Sequence, residues 1–155
     1  MIRFFGGRVM TLANGIETQD IEVWTEGSKI VFVGKPKAEE LDGKVFEREY
    51  DLKGNLLMPS FKNAHTHSAM TFLRSYADDM PLQDWLFKQI FPMEAKLDGE
   101  KVYWLTKLAI LEYLTTGCTA AFDMYFALDD YVKACIESGF RSVPVSYTHL
   151  TLPTT

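Results

Sequence analysis

Near residue 55 the sequence changes its period, and that change narrows the available folds more than any other feature. Before it, Ile2–Phe5, Arg8–Leu12, Ile21–Thr25, Lys29–Gly34 and Phe46–Leu52 are short runs rich in Val, Ile, Phe and Trp. Gly6-Gly7, Asn14-Gly15, Glu26-Gly27-Ser28, Asp42-Gly43 and Lys53-Gly54 separate them. Short β-formers at this spacing predict a small antiparallel sheet or sandwich over residues 1–55, with Asn14-Gly15 as a hairpin turn. After it, Leu82, Trp85, Leu86 and Ile90 recur as one helix face, and so do Val102, Leu105, Leu108, Ala109 and Leu111 over Gly99–Thr116. Gly117 is placed to end the second helix. Thr119–Phe122 then reads as a short buried strand, Leu128–Ser138 as a helix stopped by Gly139, and Ser142–Val145 as a strand. Alternating strands and helices over residues 56–144 predict the opening units of a parallel α/β domain.

A closed eight-stranded barrel of that kind takes about 250 residues. The chain has 155, so the architecture it announces is larger than its length. The net charge of −5 argues against a nucleic-acid partner and against an anionic membrane surface. No apolar run reaches the ~18 residues of a membrane span. Met1 to Gly7 turns polar too soon for a signal peptide, so the expected location is the cytoplasm. Cys118 and Cys135 fit no CxxC spacing and are expected as reduced, buried thiols.

The chemistry-bearing segment is Asn63-Ala64-His65-Thr66-His67. Residues i and i+2 of a strand face the same side, so His65 and His67 present two imidazoles together. Two imidazoles at a strand end make half of a first-row metal site, with zinc their commonest partner. They follow an apolar stretch, Leu56-Leu57-Met58, and precede a polar loop. Catalytic residues of α/β barrels sit at such strand ends. A bare HxH in a solvent-facing turn remains the alternative on the residues alone.

The segment Leu57-Met58-Pro59-Ser60-Phe61-Lys62-Asn63-Ala64-His65-Thr66-His67 resembles the first barrel strand of the amidohydrolase superfamily. Met70 to Leu82, Trp85-Leu86, Ile90 to Ala95 and Gly117 to Tyr125 look like its methylthioadenosine/S-adenosylhomocysteine deaminase and chlorohydrolase branch. The resemblance implies an α/β fold, an incomplete TIM-type (β/α)8 metallo-hydrolase barrel behind a small N-terminal β-sandwich. It implies one divalent metal, zinc or iron, on His65 and His67. The metal would bring a water's pKa toward neutrality, and the resulting hydroxide would attack the amine-bearing ring carbon and release ammonia. The implied partner is a small nucleoside or purine-like substrate; self-association of the full-length enzyme is left open. A third histidine, a glutamate acid/base, a further histidine and an aspartate would lie on later strands, so no catalytic acid/base is assigned in this chain. A chlorohydrolase or guanine-type aminohydrolase is the alternative within the superfamily, and a short non-catalytic protein the alternative outside it.

Glu94 matches the position that hydrogen-bonds substrate ribose hydroxyls in the nucleoside-type members, and Trp85 would wall the purine pocket. On the residues alone, Glu94 also reads as a helix-start acid and Trp85 as a core tryptophan. Arg74 is expected to tie its loop to nearby carboxylates, Asp78 and Asp79 to be solvated, and Asp123 to face the site and support it without ligation. From Val145 to Thr155 the sequence VSYTHLTLPTT matches one reading frame of a transposase adapter used in sequencing libraries. Residues 145–155 are therefore expected to be non-native, His149 is rejected as a third ligand, and the fragment by itself is expected to be inactive.

Overall fold

A computed structural model describes residues 1–13 and 15–146. The chain divides into two units, Met1–Pro59 and the part from Ser60 onward. The first unit contains β1 (Ile2–Phe5), β2 (Arg8–Thr11), β3 (Glu17–Gln19), β4 (Glu22–Glu26), β5 (Lys29–Gly34), a single helical turn α1 (Ala38–Leu41), β6 (Arg48–Asp51) and β7 (Leu56–Leu57). They form two sheets, ordered β5-β4-β1-β6 and β3-β2-β7. The pairs β1–β4, β4–β5 and β2–β3 are antiparallel. Against the all-antiparallel expectation, β6 and β7 run parallel to β1 and β2.

Gly6-Gly7 shows why. The returning chain bonds closely along this joint, with the Leu52 N–H donating to Phe5 O (2.7 Å) and the Gly54 N–H to Gly6 O (2.7 Å). A Cβ on Gly7 would lie 2.4 Å from the Asn55 carbonyl, so only glycine admits this approach. β3 escaped the sequence reading because Glu17, Thr18 and Gln19 are all exposed and carry no apolar alternation. Trp24 anchors this unit, stacked on Phe32 at 4.1 Å between centroids and edge-on to Phe46 at 5.2 Å.

The second unit contains β8 (Phe61–Thr66), a 3-10 turn (Ser68–Leu73), a helical run made of α2 (Leu82–Asp84), a π-helical stretch (Trp85–Ile90) and α3 (Phe91–Glu94), then α4 (Gly99–Thr115), β9 (Cys118–Tyr125), α5 (Leu128–Ser138) and β10 (Arg141–Ser146). The strands form one parallel sheet ordered β10-β9-β8, a partial α/β region. The apolar pair Leu56-Leu57 is not its first strand, as the sequence suggested: it pairs with β2 in the first unit. The first parallel strand begins at Phe61 and is largely polar.

Asp98 caps α4 by accepting the Lys101 N–H at 2.9 Å, and Gly117, at φ +82°, lies just beyond the C-cap residue Thr116. The buried face of α4 is Val102, Thr106, Ala109 and Ile110. Leu108 and Leu111, expected on that face, lie on the opposite side with Trp104, which is 61% exposed. A helix apolar on both sides cannot be oriented by period alone. Ala121 and Tyr125 of β9 pack with Val102, Ile110, Tyr131 and Cys135 of the two helices. The other face of the sheet carries Phe122 and Val143, 42% and 54% exposed. Phe122 was expected to be buried. Parallel sheets normally have both faces covered, and among the described residues helices cover one.

Cys118 and Cys135 are free and buried, as expected. No helix among the described residues is long and apolar enough to cross a membrane. Val145 and Ser146 complete β10 beside Met124 and Tyr125. The expectation for the rest of the adapter-like tail, His149 included, lies outside the described residues, as does Asn14 of the predicted hairpin turn.

Candidate metal and substrate site

His65 lies near the C-terminal end of β8 and His67 just beyond it, with Thr66, the last strand residue, between them. Thr66 turns toward α4, where its hydroxyl meets the Tyr113 hydroxyl at 2.6 Å. His65 and His67 flank it, their ring centroids 5.0 Å apart and their planes at 83°. A bulge between Asn63 and Thr66 breaks the register against β9. Such a bulge re-aims side chains at a strand's end. His65 is exposed, and His67 is half-buried.

His67 Nδ1 lies 2.6 Å from the Met124 carbonyl oxygen. A carbonyl can only accept, so Nδ1 carries a proton, and in a neutral ring Nε2 is then the acceptor nitrogen. A histidine that ligates through Nε2 donates its Nδ1 proton to such a carbonyl. The donor chemistry therefore fits a divalent cation at Nε2, with His65 as a second nitrogen. No cluster of three or more His, Cys, Asp or Glu is assembled among the described residues. Two nitrogens would supply half of a tetrahedral set.

Glu94 ends α3 and is half-buried, so it is not the exposed helix-start acid that the residues alone allowed. Burial pushes its carboxyl above the usual range, while a hydrogen bond with Tyr125 and the nearby His67 pull the other way. The fold thus brings Glu94 to the same corner as His67. Trp85, together with Thr66, His67, Ser68, Met70 and Tyr113, lines a cavity of about 330 Å³. It stands in the π-helical stretch, whose wider turn departs from the single helix expected over Leu82–Ile90. Leu82, expected on the inward face, is exposed.

Arg74 forms a two-point ion pair with Glu112 (3.1 and 2.6 Å), as the loop-tethering expectation had it. Asp78 and Asp79 are exposed. Asp123 does not face the open side of the sheet. It is 1% exposed on the helix-covered side and accepts from the Ser68 N–H (3.1 Å) and the Ser68 hydroxyl. Burial raises its carboxyl pKa, against those Ser68 bonds, one from Tyr131 and the nearby His67. Ser68, Tyr113 and Tyr125 were missed in the sequence. The available signal for Tyr113 was its place on the stripe 102, 106, 109 and 113, an inward tyrosine that needs a polar partner.

Comparison with known proteins gives this geometry its context. The sequence profile of the Amidohydrolase family matches residues 56–151. The chain belongs to the amidohydrolase family. The match reaches into the adapter-like segment. Over 122 residues the chain is 43% identical to the 5-methylthioadenosine/S-adenosylhomocysteine deaminase of Desulfitobacterium hafniense, covering 79% of this chain and 28% of that protein. It is 56% identical over 93 residues to the 5'-deoxyadenosine deaminase of Methanospirillum hungatei, covering 60% of this chain and 21% of that one. A zinc-bound adenosine deaminase from Xanthomonas campestris superposes with a TM-score of 0.84 at 33% identity, over 92% of this chain and 33% of its own. This amidohydrolase chain thus spans under a third of the length of these relatives.

Proposed function

We propose that this chain is part of a metal-dependent hydrolase that removes the exocyclic amine of an adenosine-type nucleoside, methylthioadenosine or S-adenosylhomocysteine, in the cytoplasm. Glu94 beside His67 carries the reading: a half-buried carboxylate next to a metal-type histidine suits a substrate with vicinal hydroxyls next to the reacting base. The relatives named as nucleoside deaminases support it.

His65 and His67 would hold one divalent metal, zinc or iron, whose Lewis acidity makes water a nucleophile at neutral pH. Met124 would hold His67 in the tautomer whose Nε2 is the ligating nitrogen. Glu94 would accept hydrogen bonds from the ribose hydroxyls, and Trp85 would wall the base. In the net reaction water adds to the amine-bearing carbon, the carbon–nitrogen bond breaks, and ammonia leaves. The closed barrel, the first unit as a sandwich and residues 145–155 as adapter-derived are part of the same proposal.

The protein from the complete reading frame at the source locus, assayed with methylthioadenosine, S-adenosylhomocysteine, guanine and a chloro-s-triazine, tests it. Ammonia release from the nucleosides alone is the expected result; a preference for guanine or the triazine would move the chain to the alternative. Sequencing across the codons for Ser142 to Thr155 is expected to show the frame running on into strands with further histidines. The 155-residue chain alone is expected to be aggregated or molten and inactive, because the sheet face with Phe122 and Val143 is uncovered. Gel filtration and thermal melting check this. A monodisperse chain that melts cooperatively and turns over methylthioadenosine would contradict it.

A further inference from the structure

We propose that Asp123 and Tyr113 are a positioning pair that clamps the residues on both sides of His67, Thr66 by its hydroxyl and Ser68 by its N–H and hydroxyl; this rests on the reading of His67 as a metal ligand. Thr66 and Ser68 are the neighbours of His67 in the chain. The Tyr113 hydroxyl lies 2.6 Å from the Thr66 hydroxyl and 3.0 Å from the Ser68 hydroxyl, so a single phenol on α4 touches both. Ser68 in turn donates its N–H to both Asp123 oxygens (3.3 and 3.1 Å) and its hydroxyl to one of them. The residue after Asp123 supplies the carbonyl that takes the His67 Nδ1 proton. Two successive residues of β9 therefore hold one corner: the Asp123 carboxylate takes the Ser68 N–H and hydroxyl, and the Met124 carbonyl takes the His67 ring.

The chemistry of Asp123 suits this task. An ionised carboxylate is acceptor-only, which matches the donors Ser68 turns toward it. Burying a carboxylate is costly unless donors converge on it, and a carboxylate 1% exposed at the turn after His67 has them. His65 is held otherwise: it is exposed, and its N–H donates to Asn63 Oδ1 at 3.2 Å. The two histidines are thus held unequally: the His67 ring is fixed by Met124 and its neighbours by Tyr113 and Asp123, whereas the Asn63 contact reaches only the His65 backbone.

The test uses the protein from the complete reading frame. Asp123→Asn keeps the shape and turns an amide NH2 toward a donor. The expected result is a zinc dissociation constant raised ~10–100-fold, with turnover that is low at limiting zinc and recovers at saturating zinc. The KM for substrate stays unchanged, because Glu94 and Trp85 are untouched. A merely structural role would instead give a loss that zinc does not rescue, and that outcome overturns the proposal. If Asp123→Asn does not fold, Tyr113→Phe removes one hydroxyl without disturbing the carboxylate, and a weakening of about 5-fold is expected. Wild-type zinc affinity in a folded variant of either kind also overturns it. A wild-type protein that holds zinc yet deaminates no nucleoside would sink the proposed function alone and leave the zinc comparison to decide here.

Discussion

His67→Ala is expected to leave a protein without stoichiometric zinc and with turnover reduced by on the order of 10⁴-fold or more. The size follows from what the metal supplies. Unassisted water has a pKa near 15.7, against about 7 on a suitable zinc site, so loss of the cation removes almost all nucleophile at neutral pH. His67 is the better-organised donor, with Nδ1 bonded to the Met124 carbonyl, and an alanine there leaves that carbonyl without its ring partner. Metal analysis of the purified variant beside steady-state deamination would check both parts. A variant that still carries one zinc per chain and deaminates at the wild-type rate would remove His67 from the metal site.

Glu94→Gln is expected to have opposite effects on catalysis and on stability. For an adenosine-type substrate kcat/KM should fall on the order of 10²-fold, since hydrogen bonds to a charged acceptor contribute about 1.5–3 kcal/mol and the amide replaces one acceptor by a donor. Deamination of a free base should be nearly unaffected. Stability moves the other way. The folded carboxyl has a raised pKa because burial disfavours its charge, so the folded state binds the proton more tightly than the unfolded chain. The stability this contributes is present below the unfolded pKa and is lost as pH rises through the folded one. At neutral pH the wild type therefore bears the cost of a half-buried charge, and Glu94→Gln should melt higher than wild type there. The difference should disappear on acidification below the ordinary glutamate range. Equal melting temperatures at pH 7, or an unchanged kcat/KM for the nucleoside, would show that Glu94 is not the buried substrate carboxylate.

Most of the strand plan could be read from the residues. β1, β2, β4, β5 and β6 fall where β-branched and aromatic runs alternate with glycine turns, and α4 and α5 stop at Gly117 and Gly139, whose φ angles are +82° and +63°. These features are local: a few neighbouring side chains and one permissive glycine decide them. The readings that failed needed a distant partner. The segment 57–67, read as the first strand, does contain β8, but its apolar start belongs elsewhere: Leu56-Leu57 pair with β2, and the strand begins at the largely polar stretch from Phe61. Val102, Leu105 and Ala109 were placed on the inward face of α4 correctly, but Leu108 and Leu111 were not, because with Trp104 they are as apolar as the residues the helix buries.

The candidate site divides in the same way. The spacing His65-x-His67 and the residue types around Glu94 were determined by the sequence alone; that His67 falls just past the end of β8, after a register break, was not. Tertiary structure alone decided which nitrogen of His67 carries the proton toward a carbonyl, since Met124 is 57 residues away along the chain. It also decided that Asp123 turns into the core and holds the turn after His67. A carboxylate's type is written in the sequence, but its partners, its burial and hence its pKa exist only once β9 lies beside β8.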